Sequence, residues 1–213
     1  MKIGILGAGN VGGVLGRGWA GAGHEIRFGV RDAGDAKVKA LVAAITGNGG
    51  RAAAGSVAEA ATFGDVVVLT TPWDATEAAI QSAGGLHGKI VLDCTNPLKP
   101  DLSGLVFGAD GSAGEQVAAW CPGAAVVKIF NTTGANNMAD PAYSDGKATM
   151  LYCGDDAAAK ATAHQLAADL GFDPVDAGPL TQSRLLERFA LLWISLAYQQ
   201  KLGRDFAFRL MQR

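Results

Sequence analysis

Six residues constrain this chain more than any others: Gly7-Ala8-Gly9-Asn10-Val11-Gly12, placed directly behind the apolar run Ile3, Ile5, Leu6 and ahead of a helix-compatible stretch, Val14 to Ala22. A strand, a tight turn and a helix start follow one another in the order that a dinucleotide pyrophosphate requires. Gly7 permits the turn, Gly9 lets the backbone approach the phosphates, and Gly12 lets helix and strand pack closely. The anion then lies on unpaired backbone N–H groups at the positive end of the helix dipole, which makes Gly7, Gly9, Asn10, Val11 and Gly12 the expected seat. In a chain with 30 glycines the bare pattern carries little weight. Its position behind the first strand supplies the weight.

The rest of the chain alternates short apolar, β-branched runs with alanine-rich helical stretches. That alternation predicts an α/β fold: a Rossmann-type, doubly wound, mainly parallel sheet with a small C-terminal helical extension. Strands are expected near Lys2–Leu6, Glu25–Val30, Asp65–Thr70, Ile90–Asp93, Ala125–Phe130, Thr149–Cys153 and Phe172–Val175, and Arg51–Ala53 is compatible with a further short one. Helices are expected near Val11–Ala22, Asp35–Thr46, Val57–Phe63, Asp74–Ala83, Gly114–Trp120, Asp156–Leu170 and Leu180–Leu202. Asp155 or Asp156 suits the N-cap of the sixth helix and Gly171 its C′ position. The character of the chain changes near Gly178-Pro179, after which no further βαβ unit follows. The expected division is residues 1–178 as a dinucleotide-binding domain and 179–213 as a helix and tail packed on it.

Bulk properties narrow the function classes. The 213 residues carry 49% hydrophobic and 18% charged side chains, the balance of a compact soluble chain with a substantial core. A net charge of −2 gives no electrostatic reason to expect nucleic acid or an anionic membrane surface. Cys94, Cys121 and Cys153 are odd in number and widely spaced, fitting reduced thiols in a cytoplasmic protein better than disulfides or zinc. His24, His87 and His164 are equally scattered, and structural roles are expected for them rather than a metal site. With the first strand opening at Lys2, no signal peptide is expected. The late apolar run Phe189 to Tyr198 is far shorter than the roughly 20 residues a bilayer requires.

The second strand speaks to which dinucleotide. An NAD site places an acid at its end to bond the ribose hydroxyls. Here the strand ends Phe28-Gly29-Val30-Arg31-Asp32, so the acid is displaced and Arg31 stands, just past Val30, where a 2′-phosphate would lie. A guanidinium fork matches phosphate geometry, and Lys37 offers a second positive charge. NADP is therefore expected over NAD. The competing reading pairs Arg31 with Asp32 or Asp35 on the surface. Ligands in such sheets lie beyond the carboxyl ends of the strands, which singles out three later loops: Thr70-Thr71-Pro72-Trp73, Cys94-Thr95-Asn96-Pro97, and Asn131-Thr132-Thr133-Gly134. Their proline and asparagine also suit ordinary turns.

These segments together resemble the NADP oxidoreductases that use the deazaflavin coenzyme F420. His24 to Arg31 is similar to that family's second strand with its phosphate-reading arginine, and Val68 to Trp73 to its loop near the nicotinamide. Cys153-Gly154-Asp155-Asp156 resembles the opening of its penultimate helix, and Asp176 to Glu187 a long signature leading into the last helix. Gly203 to Leu210 resembles its final strand. The resemblance implies NADP as cofactor, with coenzyme F420, or FMN or FAD in its place, as a second, flavin-like substrate. It departs at Asn131, where the family has a histidine, and at Asp93 to Leu98. Lys128-Ile129-Phe130-Asn131-Thr132 is closer to the reductase domain of the six-transmembrane metalloreductases, which pass electrons from NADPH to flavin.

Hydride transfer between two flat rings needs them held face to face and kept dry, with the cofactors supplying the chemistry. No catalytic triad, metal cluster or Lys–Asp pair is recognisable in the sequence, and no catalytic side chain or metal ligand is expected. Thr71, Pro72, Asn96 and Asn131 are positioning candidates. Two other readings stay open. One is an NADPH-dependent dehydrogenase of a small carbonyl or imine, completed by a dimer partner. The other is a non-catalytic NADPH-binding redox sensor or partner protein. The apolar face around Leu185, Leu186, Phe189, Leu192, Trp193 and Leu196 exceeds what one sheet face needs, and a homodimer through the C-terminal helix is the second use expected for it.

Overall fold

A computed structural model describes residues 1–213. Strands β1 (Lys2–Leu6), β2 (Glu25–Gly29), β3 (Arg51–Gly55), β4 (Val66–Leu69), β5 (Ile90–Asp93) and β6 (Ala125–Lys128) alternate with helices α1 (Asn10–Gly21), α2 (Ala36–Gly47), α3 (Val57–Phe63), α4 (Trp73–Ser82) and α5 (Ala113–Trp120). The chain continues through α6 (Ala135–Ala139), the hairpin β7 (Ala142–Tyr143) and β8 (Gly146–Lys147), then β9 (Thr149–Gly154), α7 (Ala157–Asp169), β10 (Asp173–Asp176) and α8 (Ser183–Ile194). One eight-stranded sheet runs in the order β10-β9-β6-β5-β4-β1-β2-β3. Every neighbouring pair is parallel except β6 with β9, where Val127 faces Gly154 and Lys128 faces Cys153.

Alternation along each strand divides two cores. Val66 and Val68 join Ile3, Ile5, Phe28 and Val127 under α1, α2 and α7, whereas Val67 and Leu69 join Val91, Val126 and Val117 under α3, α4 and α5. The sheet is buried on both faces, so its strands read as continuous apolar runs. Trp19, fully buried, ties α1 to α7 by donating from Nε1 to the Leu166 carbonyl at 2.8 Å. No helix is long and apolar enough to cross a membrane.

Four features differ from the expectation. The α6 turn and the β7–β8 hairpin were unanticipated, because each is too short to show periodicity. They return the chain to the carboxyl edge of β6, so β9 enters from that edge and runs antiparallel. The expected helix Leu180–Leu202 is broken into a 3₁₀ turn at Leu180–Gln182, α8, and a π-helical turn at Ser195–Gln199. The expected final strand at Gly203–Leu210 is not a strand. The tail makes one ladder-like bond, Thr149 N–H to Phe208 O at 3.0 Å, and is otherwise held by side chains: Asn136, Asn137 and Trp193 donate to Arg204, Asp205 and Phe206, Phe206 stacks on Trp193, and Phe208 packs on Phe189. At the other end of β9, Asp156 caps α7 through the Ala159 N–H, while Asp155 accepts from the Leu180 N–H.

Candidate functional site

β1 and β4 lie side by side at the centre of the sheet, with the chain leaving them in opposite lateral directions. In sheets of this kind a ligand lies at such a switch point, in the crevice beyond the carboxyl ends of the strands. Gly7 takes φ 113° to turn out of β1 and anchors its N–H on Gly29 O. Thr70, just past β4, donates its hydroxyl to Leu6 O at 3.1 Å and Gly7 O at 3.2 Å, so it holds the glycine loop in place from below. A Cβ on Gly12 would stand 2.4 Å from Gly7 O and 2.6 Å from Thr70 Oγ1; one on Gly9 would meet nothing within 4 Å. Gly12 thus answers to the protein's own packing. Gly9 leaves a space that the protein does not fill.

Helix α1 begins on that space with no side-chain cap, and no protein oxygen meets the N–H groups of Asn10, Val11 or Gly12. Four other helices meet part of theirs with a side chain: Asp35 caps α2, Ser56 caps α3 with a reciprocal bond from Glu59, Ser112 caps α5 and Asp156 caps α7, while α4 and α6 start, like α1, without a side-chain cap. Unmet donors at a helix N-terminus, beside a vacant glycine position, fit an anion. Val30 is half-buried at the edge of this region and Arg31 is exposed. The surface pairing weighed for Arg31 is not formed: Asp32 accepts from the Gly34 N–H at 2.7 Å and Asp35 from the Lys37 N–H at 2.7 Å. Arg31 makes no ion pair or hydrogen bond, so its fork is free.

The loop after β4 divides its residues between tasks. Thr71 exchanges a hydroxyl bond with Thr76 at 2.9 Å, and Pro72, exposed, opens α4. Trp73 turns away into a hydrophobic cluster, stacked on Trp120 at 5.2 Å and edge-on to Phe107 at 5.5 Å. The loops after β5 and β6 are tied together. Asn96 Nδ2 donates to Asn131 O at 2.8 Å, and Asn131 Nδ2 donates back to Asn96 Oδ1 at 3.1 Å, with Pro97 buried beside them. Asn131 Oδ1 is buried and has no partner. An orphaned acceptor is costly unless a donor arrives. A ligand N–H fits it.

Beneath these loops lies a group that contradicts the sequence reading: a Lys–Asp pair exists. Lys128 Nζ, with its side chain fully buried, lies 2.9 Å from Asp93 Oδ2 and 3.0 Å from Glu187 Oε1, and donates to Thr95 O at 2.6 Å. Glu187 in turn accepts from the Ala113 and Gly114 N–H groups that start α5, both at 3.0 Å. Burial opposes the Lys128 charge, but Asp93 and Glu187 outweigh it and its pKa stands above the ordinary lysine value. Burial pushes the Glu187 carboxyl up from 4.5 against the pull of Lys128. The pair escaped the sequence because its members are 35 residues apart; the available signal was a lysine inside the apolar run Val126 to Phe130. Burial also raises the thiols, Cys121 to about 11 and Cys153 to about 12, so neither is a ready nucleophile. His24 contacts Asp169 at 2.9 Å and His164 faces the Tyr152 hydroxyl at 3.3 Å.

With this geometry in hand, comparison with known proteins identifies the lineage. The family described as NADP oxidoreductase, coenzyme F420-dependent, matches residues 2–97. An F420-dependent NADP reductase of Methanothermobacter thermautotrophicus is 30% identical over 210 residues, covering 92% of this chain and 89% of that protein. Metalloreductase STEAP3 of Rattus norvegicus is 29% identical over 89% of this chain, which spans only 36% of the metalloreductase. A crystal structure of an Arthrobacter sp. FB24 protein, provisionally described as an F420-dependent NADP reductase, superposes with a TM-score of 0.88 at 31% identity, covering all of both chains. Similarity at this level along nearly the whole of both chains makes this chain a member of the coenzyme F420-dependent NADP oxidoreductases.

Proposed function

We propose that this chain binds NADPH across the carboxyl edge of the sheet and serves hydride exchange with a flavin-like second substrate, coenzyme F420 or FMN or FAD. The observation that carries the reading is the uncapped start of α1 over the unfilled Gly9 position, in a protein that caps α2, α3, α5 and α7 with its own side chains. In this reading Gly7, Gly9, Asn10, Val11 and Gly12 seat the pyrophosphate. Val30 borders the adenosine and Arg31 grips its 2′-phosphate. Thr71, Pro72, Asn96, Pro97 and Asn131 line the nicotinamide end, while Thr70 and Trp73 support the loops from behind. When bound, the nicotinamide supplies the hydride and the flavin-like ring accepts it. The chain's contribution is to hold both rings at about 3–3.5 Å and keep water out. No side chain is assigned a proton-transfer role.

The same reading treats residues 1–178 and 179–213 as one unit, supported by the Glu187–Lys128 contact that joins α8 to the sheet. It includes a cytoplasmic location, which suits three buried free thiols, and a homodimer through α8 and the turn after it, where Leu185, Leu192, Tyr198 and Leu202 are exposed. The deciding experiment follows nicotinamide absorbance when the protein is mixed with NADPH and, in turn, F420, FMN, FAD and a panel of carbonyls and imines. Turnover with a ring acceptor is expected. Turnover confined to carbonyls or imines would replace this reading with the dehydrogenase, and NADPH binding without any turnover would replace it with the sensor.

A further inference from the structure

Asp93 ends β5, Lys128 ends β6 and Glu187 lies in α8, and all three side chains are closed off from solvent, with exposures of 0%, 0% and 1%. None of them can touch a ligand. What they hold is the floor of the crevice. Asp93 Oδ1 accepts from both the Thr95 N–H at 2.9 Å and the Thr95 hydroxyl at 2.7 Å, while Lys128 clamps the Thr95 carbonyl at 2.6 Å. Every polar group of Thr95 is thereby fixed by this buried charge cluster. The next residue, Asn96, carries the two-way amide bond to Asn131 and so sets the direction of the unpartnered Asn131 Oδ1.

Stability alone is a weak account of three buried charges, because apolar residues of similar volume often serve as well or better. Fixed geometry does account for them. We infer that Lys128, held between Asp93 and Glu187, is a positioning residue for the nicotinamide half of the bound dinucleotide, acting through Thr95 and the Asn96–Asn131 pair. The inference rests on the NADP reading above. The pyrophosphate seat on α1 and Arg31 belong to other loops, over β1 and β2, so the adenosine half is held independently of Lys128.

Two ligands separate these halves: NADPH, and 2′,5′-ADP, which carries the adenosine and its extra phosphate but no nicotinamide. Calorimetric dissociation constants for both are compared in the native protein, Lys128→Met and Asn96→Ala. Each variant is expected to weaken NADPH about five- to tenfold, the loss of one well-aligned hydrogen bond, and to leave 2′,5′-ADP within about twofold. A merely structural role would weaken both ligands together or neither, and either result overturns the inference. Because Lys128→Met leaves two carboxylates without a counter-charge, the companion variant Lys128→Met/Glu187→Gln removes one of them and leaves Asp93 bonded to Thr95; the same selective loss is expected. If neither lysine variant folds, buried Thr95 decides, because it bonds the charge cluster and touches no ligand: unchanged NADPH affinity in Thr95→Val overturns the inference, and a loss confined to NADPH upholds it. A native protein that binds neither ligand overturns the NADP reading itself.

Discussion

Gly9 and Gly12 stand three residues apart and answer to different demands. A methyl at Gly12 has no room against Gly7 O and Thr70 Oγ1, whereas one at Gly9, where φ is −76°, costs the fold nothing and projects into the proposed phosphate seat. Gly12→Ala is expected to destabilise by about 1–3 kcal/mol, the usual overpacking cost. Gly9→Ala is expected to keep the native melting temperature and lose most NADPH affinity. Thermal melts beside a binding titration check both, and a Gly9→Ala protein that binds normally would place the pyrophosphate elsewhere. Arg31 admits an equally sharp expectation, since its guanidinium has no protein partner. Arg31→Ala should weaken NADPH about 10- to 100-fold, as expected for a charge-assisted bond, and leave NADH affinity alone. Equal losses for the two nucleotides would show that the side chain does not read the 2′-phosphate. Both motifs were legible in the sequence because neighbouring residues carry them. Lys128 was not, since its partners arrive from β5 and α8.

At the scale of elements, spacing and composition foretold where most helices lie, and Asp156 was legible as a cap; the structure adds three more. Asp35, Ser56, Ser112 and Asp156 each precede a helix and each bonds an N–H of its first turn. The segment after Pro179 was less legible, because its long apolar run fits a continuous helix while the structure inserts a 3₁₀ turn before α8 and a π turn after it. Beside the Glu187 bonds to the start of α5, Arg184 and Glu115 form a two-point pair between α8 and α5 at 2.8 and 2.6 Å. Arg184 holds the Glu115 carboxyl below its ordinary 4.5, against a smaller cost of burial. The unfolded chain therefore takes up this proton first as pH falls. The stabilisation is complete above 4.5 and is lost as pH drops through the lower, folded value. Both side chains are about a third exposed, so the contribution is modest. Glu115→Gln is expected to lower stability slightly at neutral pH and to flatten the fall below 4.5. Melting temperature against pH for the two proteins checks this, and parallel curves would remove the pair from the account.

The whole molecule is organised around one asymmetry. Six strands follow the doubly wound order, and then α6 and the β7–β8 hairpin bring the chain back along the crevice edge, so that β9 joins reversed. The pairing of β5 with β6 sets Asn131 opposite Asn96, and the segment after the return brings α8 within reach of Lys128. On its outer side α8 leaves Leu185 62% and Leu192 49% exposed. If that stripe joins two copies, Leu192→Asp should shift the sedimenting species from dimer to monomer and remove the dependence of melting temperature on protein concentration. A native protein that sediments as a monomer at high concentration would end the dimer proposal.

The amino-acid sequence by itself determined the parallel core of the sheet, the glycine loop, the arginine placed just after β2 and the cap of α7. These features rest on contacts between residues close in sequence, where spacing and side-chain type suffice. Only the tertiary structure decided the reversed β9, the broken C-terminal helix and the Asp93–Lys128–Glu187 cluster beneath the crevice. A buried charge is stable only when its partners close around it, and residues 35 or more positions apart carry no local pattern that announces their meeting.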